Sequence, residues 1–167
     1  MSRSRMQSPR TSLLRHPVGD AHPTPELGTI LSSISAMKVV VYSHDADTRA
    51  EIKLAIGRRP APDVPEAEIV EVATAPALFR LLDAGGVDVM VLDGEAQPAG
   101  GMGVSRQAKD EIYHCPPVLL VIARADDRWL ATWSRAEAVV SHPIDPVALA
   151  RELAALMRSR AAAIAAQ

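Results

Sequence analysis

Two short segments, VDVMVL (87–92) and PVLLVIA (117–123), restrict what this chain can become. The first carries no polar side chain between Asp88 and Asp93, and the second carries none at all. Both fall short of the ten or so residues of an ordinary helix. A strand with one face in water would alternate apolar and polar residues. Unbroken apolarity means that both faces are covered, which is the condition of a central strand in a parallel sheet. Helices must then lie on both sides of that sheet, and the chain reads as α/β.

The remaining pattern agrees. KVVVY (38–42) is a third buried strand, and Asp45 or Asp47 is placed to cap a helix carrying Thr48, Ile52, Ala55 and Ile56 on one face. GRRPAPDVPEA (57–67) reads as a Pro-rich loop. EIVEVAT (68–74) alternates, so it belongs at a sheet edge. Thr74 caps a helix expected to bury Leu78, Phe79, Leu81 and Leu82. A Gly-rich loop (94–103) leads to a helix near 104–113, with Val104, Ala108 and Ile112 in line. Asp126 or Asp127 opens a helix through Trp129 and Trp133, and AVV (138–140) is a short strand. Asp145-Pro146 is an N-cap and first-turn pair for a last helix with Leu149, Ala150, Leu153, Leu156 and Met157 inward. Five β-α units with short connections require parallel strands.

The domain reading is 37–160 for this unit, with a tail over 161–167. Residues 1–36 differ: they are rich in Ser, Pro, Arg and His and lack periodicity. Such a segment buries too little apolar area to offset the entropy of ordering, so it reads as a flexible arm. After the fifth helix only RSRAAAIAAQ (158–167) follows, too little for an output domain.

Charge and composition narrow the function classes. Eighteen basic residues stand against 20 acidic ones for a net charge of −2, without the clustered basic field that nucleic acid requires. No apolar run reaches the ~20 residues of a membrane span, so no membrane insertion is expected. The one cysteine, Cys115, has no partner for an internal disulfide, and a reducing cytoplasm fits.

Ligands of open parallel sheets bind beyond the carboxyl ends of the strands. Here those ends carry Ser43, His44 and Asp45 after the first strand, Asp93 after the third, Ile122 and Ala123 at the fourth, and His142-Pro143 after the fifth. SHDADT, after the first strand, has neither the glycine of a flavin-phosphate cradle nor a GxGxxG dinucleotide turn. His44 and Asp93 alone do not make a metal site. No paired acid-base or nucleophile constellation is present, so an enzyme is not expected.

This arrangement resembles the receiver domain of two-component response regulators, on the element order of residues 37–160, on Leu92-Asp93 and on HPIDP (142–146), which is similar to the family's KPFDP. The resemblance implies a flavodoxin-like (βα)5 fold with strand order 2-1-3-4-5 and a phospho-accepting aspartate, Asp93. It also implies two acids after the first strand that hold Mg²⁺, a Thr or Ser on the fourth strand and a lysine on the fifth. Phosphoryl transfer gathers negative charge that a cation and a lysine must neutralise.

At the matching positions this chain has Ser43 and His44, with Asp45 one place late, then Ile122, and His142; the aromatic switch position is Val139. The pocket is degenerate, and neither a metal nor another cofactor is expected. EVATAP (71–76), LDGEAQPAGGMG (92–103), KDEIYHCPP (109–117) and WLATWSRAEAVVSHPIDP (129–146) resemble an atypical orphan response regulator of actinobacteria associated with respiratory complex I, the type I NADH dehydrogenase. That resemblance implies a protein-binding accessory module, docked on the peripheral arm at the inner face of the membrane. The alternative is a phosphorelay receiver that takes a phosphoryl group on Asp93 from a histidine kinase or a small phosphodonor.

Trp129 and Trp133, four residues apart, share one side of the fourth helix. Both are candidates for partner contact. Trp129 is expected in the core, and Trp133 on the surface as the anchor, since an exposed Trp buries a large area at low entropy cost.

Overall fold

The computed structural model describes residues 36–166. The arm assigned to 1–36 lies outside them except for Ala36, which opens the first strand.

Five strands alternate with five α-helices: β1 (Ala36–Tyr42), α1 (Ala46–Ile56), β2 (Glu66–Val72), α2 (Ala75–Ala84), β3 (Val89–Asp93), α3 (Gly101–Glu111), β4 (Val118–Ile122), α4 (Arg128–Ser134), β5 (Ala138–Ser141) and α5 (Pro146–Ala165). All strand pairs are parallel, in the order β2-β1-β3-β4-β5, as the receiver resemblance implies. The two continuously apolar segments are β3 and β4. Every one of their residues is buried. β2, the strand of alternating sequence, stands at an edge, and its exposed residues, Glu68 and Glu71, fall on opposite faces, so the expectation of a single exposed face is corrected.

Alternate residues of each strand feed two separate cores. Val39, Val41, Val89, Val91, Leu119 and Val121 pack with Ile52 and Ile56 of α1 and Leu149, Leu153 and Met157 of α5. Val40, Tyr42, Met90, Leu92, Leu120 and Ile122 pack with Leu78 and Leu82 of α2, Val104 and Ala108 of α3, and Ala131 of α4. Phe79 and Leu81 are only partly buried at the margin of this second core.

Caps follow the sequence closely. The Asp45 carboxylate accepts from Asp47 N–H at 3.0 Å, Thr74 Oγ1 from Ala77 N–H at 3.4 Å, and Asp145 from Val147 N–H at 2.9 Å. Each satisfies a first-turn donor that the helix itself leaves orphaned. The fourth helix starts differently: a 3₁₀ turn over Ala125–Asp127 precedes it, and Asp127 makes no side-chain cap. α3 begins at Gly101, earlier than the 104 expected from apolar spacing, because its first turn is glycine-rich and carries no periodic signal. α5 continues through Ala165 with Ala161 buried, so most of the segment read as a tail is helix.

The placement of Trp129 in the core is corrected. Trp129 is 69% exposed and Trp133 52%. α4 has only seven residues and turns Ala131 and Ser134 inward, where Ser105 of α3 donates its hydroxyl to Ser134 O at 2.9 Å. Helices in such close contact admit only small side chains between them. Both indoles are turned out.

Candidate functional site

The parallel register sets the site. Val41 pairs with Val91, so two residues further on Ser43 and Asp93 leave the sheet side by side and on the same face. Ser43 is fully buried and Asp93 is 3% exposed. The Ser43 hydroxyl donates to Asp93 Oδ2 at 2.7 Å, and the backbone N–H of Glu95 donates to Asp93 Oδ1 at 2.9 Å. Both carboxylate oxygens of the candidate acceptor are therefore held by neutral donors supplied by the chain. Ser43 Oγ also accepts from Asp45 N–H at 3.1 Å, and Ser43 O accepts from the Arg49 guanidinium at 2.7 Å, which fixes the turn after β1.

Neighbouring candidates are turned to other tasks. Asp45 spends its carboxylate on the cap of α1 and on the Thr48 hydroxyl at 3.0 Å. The Asp47 N–H, and then the Thr48 hydroxyl, hold that carboxyl below its ordinary range. His44 is exposed, and its Nδ1 accepts from Gln97 N–H at 3.1 Å, pinning the loop that follows Asp93. Ile122 is fully buried at the end of β4. His142, half-buried, donates its backbone N–H to Ile122 O at 2.8 Å and is joined to Pro143 by a cis peptide bond. Among the described residues no hydrogen bond links the His142 side chain to Asp93. Val139 is half-buried on β5.

The family's Mg²⁺ does not fit this donor set. Its acids are replaced by a hydroxyl that donates to Asp93 and a histidine whose Nδ1 already accepts a backbone N–H. The remaining carboxylate nearby, Asp45, is committed to its helix cap. Among the described residues no group of three or more His, Cys, Asp or Glu side chains is placed to share an ion.

Sequence reasoning did not single out Tyr42, Gly94 or Gly101. Tyr42, fully buried, donates its hydroxyl to Ala99 O at 2.5 Å and so ties the 94–100 loop to β1. Burial, and after it the negative charge of Asp93, pushes the Tyr42 phenol above its ordinary pKa. Gly94 gives its N–H to Val121 O at 2.7 Å, and a Cβ at Gly101 would stand 2.5 Å from Asp93 O. The spacing of glycines after Asp93 was the available signal: the loop folds back onto the strand end too closely for a side chain.

Comparison with known proteins agrees with this geometry. No protein-family model matches the chain. The chain is 50% identical over 129 residues to a response regulatory protein of Mycobacterium tuberculosis, in strains CDC 1551 and H37Rv, covering 77% of this chain and 97% of the relative. Among solved structures, a LuxR-family two-component response regulator from Aurantimonas superposes with a TM-score of 0.63 at 21% identity, over 75% of this chain and 88% of that one. A Francisella response regulator receiver domain superposes with a TM-score of 0.62 at 15% identity, over 74% and 98%. A CheY-like receiver from Methanospirillum hungatei gives 0.59 at 15% identity, over 75% and 97%. Five parallel strands in this order, with an aspartate at the carboxyl end of the central one and 50% identity over 129 residues to a response regulatory protein, place the chain in the response regulator family as a CheY-like receiver domain.

Proposed function

We propose that this receiver works as a protein-binding module whose pocket has lost phosphotransfer chemistry. The observation that carries the reading is the engagement of both Asp93 oxygens, one by Glu95 N–H and the other by Ser43 Oγ–H, at a position where a receiver would set a metal-holding acid. With Ser43 and His44 in place of the cation-holding acids and His142 in place of the lysine, the means of neutralising charge that gathers on Asp93 are lost. Binding then falls to the surface, where the two exposed indoles of α4 offer a large apolar area beside β5 and α5. On this reading the module is cytoplasmic and is not an enzyme. Its partner is the peripheral arm of respiratory complex I. That assignment rests on the resemblance of the four segments around 71–76, 92–103, 109–117 and 129–146 to the complex I-associated regulator.

Co-purification from native membranes tests it. Complex I subunits are expected with the wild-type chain and lost with Trp133→Ala; intact complex free of this protein would overturn the partner assignment. The second reading, phosphorelay through Asp93, has the position of Asp93 at the end of β3 in its favour. Incubation with acetyl phosphate and Mg²⁺ followed by intact mass separates the two. The degenerate pocket predicts no added phosphoryl mass, and stoichiometric addition abolished by Asp93→Asn would establish the relay instead.

A further inference from the structure

The opposite, amino-terminal end of the sheet holds a feature that receiver chemistry does not use. The last turns of α5 pass beneath the starts of β3 and β4 and insert Arg160 between two cavities of about 250 and 160 Å³. Arg160 and His114 line both.

The Nε–H of Arg160 is enclosed and has no acceptor among the described residues. Its nearest carboxylate oxygen, Asp88 Oδ1, is 3.9 Å away, and the other Asp88 oxygen already accepts from Lys38 N–H at 2.8 Å. Enclosed donors without partners are rare in folded proteins, and this one marks a guanidinium that the packing leaves under-satisfied. The side chain is 19% exposed, so its remaining N–H groups, which make no hydrogen bond among the described residues, are the donors open to an acceptor in the cavities. The other charges around the larger cavity are matched. Glu137 is paired with Lys109 at 2.5 Å and accepts from Val118 N–H at 2.7 Å, and Arg135 is paired with Asp110. Among the described residues around it, Arg160 has only the long 3.9 Å pairing with Asp88 and keeps spare donors. His114 is held on the rim in a left-handed backbone conformation (φ 55), its ring against Tyr113 with centroids 4.0 Å apart. Ser159 completes the lining of the larger cavity beside Arg160. A guanidinium fork and an imidazole facing a space of this size match an oxyanion of a few atoms.

We propose that Arg160 and His114 bind a small oxyanion, phosphate or a short dicarboxylate, at the amino-terminal end of the sheet. The site is at the far end of the strands from Asp93 and does not depend on how the partner docks. Isothermal titration of the full chain with inorganic phosphate and, separately, with succinate, at constant ionic strength in chloride, reads it directly. Saturable binding of at least one probe is expected. It should weaken about ten-fold or more in Arg160→Gln, since a hydrogen bond to a charged group is lost. Arg160→Lys should give an intermediate loss, and His114→Asn, which tolerates the left-handed backbone, a smaller one. Asp93→Asn should bind as wild type. Preference for phosphate or for succinate identifies which oxyanion geometry the site takes. No saturable binding of either probe overturns the proposal. So does binding unchanged in Arg160→Gln, or binding lost in Asp93→Asn, which would move the anion to the other end of the sheet. Thermal melting of each variant distinguishes loss of the site from loss of the fold: a variant that melts as wild type and no longer binds supports the proposal, and where Arg160→Gln does not fold, a folded Arg160→Lys or His114→Asn that binds as tightly as wild type overturns it.

Discussion

The Ser43 hydroxyl sits 2.7 Å from Asp93 Oδ2, in the place where a phosphorylated receiver would set an acid. A hydroxyl can donate a hydrogen bond to a carboxylate, whereas an ionised acid beside it would repel it unless a cation stood between. The exchange changes the character of the site. Asp93 becomes a satisfied buried carboxylate that joins β1 to β3.

Ser43→Ala should therefore destabilise the fold by about 1–3 kcal/mol, the cost of leaving a buried charged acceptor short of one donor. Urea denaturation reads this as a lower midpoint at unchanged slope. A midpoint within error of wild type would mean that water replaces the hydroxyl at no cost.

The loop after Asp93 gives a paired test. Gly101→Ala places a methyl 2.5 Å from Asp93 O, against backbone that cannot rotate away, and should cost about 1–3 kcal/mol. Gly103→Ala, two residues along the same helix, meets nothing within 4 Å and should stabilise by about half a kcal/mol through helix propensity. Opposite shifts of the thermal midpoint are expected from the same substitution.

Tyr42 should show itself in alkali. Its folded-state pKa is raised, by burial first and by Asp93 second, so the folded chain keeps a proton that the unfolded chain releases. The stabilisation it contributes is full below about pH 10 and declines as pH rises from there toward the folded value. Tyr42→Phe should lose about 1 kcal/mol at neutral pH, through the unmade bond to Ala99 O. The gap between wild type and variant should then narrow, or reverse, as pH climbs above 10 in a series of denaturation curves.

The indoles of α4 are predicted to matter for binding and hardly at all for folding. Trp129→Ala and Trp133→Ala should each change stability by under about 1 kcal/mol, since 69% and 52% of the two residues already face water. Their fluorescence should be close to that of tryptophan in water and shift to the blue on complex formation. A large loss of stability in Trp129→Ala would return that side chain to the core.

Much of this was legible in the chain itself. Unbroken apolar runs at 87–92 and 117–123 announced β3 and β4, the alternation of 68–74 announced an edge, and Asp45, Thr74 and Asp145 announced three helix starts. These are local signals, set by the period of a strand or by the first turn of a helix. The replacement of the acid pair by Ser43 and His44 could also be read by position. Tertiary structure alone decided what the replacements do. Register along β1 and β3 brings Ser43 to Asp93 across 50 residues, and His44 to the loop at Gln97 across 53. It also decided which side of α4 is buried, because that depends on how closely α3 approaches at Ser105, a distance that no window of sequence contains. For the same reason the enclosed Nε of Arg160 had no local mark: it comes from α5 crossing beneath the start of β3, beside Asp88 and about 70 residues earlier in the chain, where only packing brings residues together.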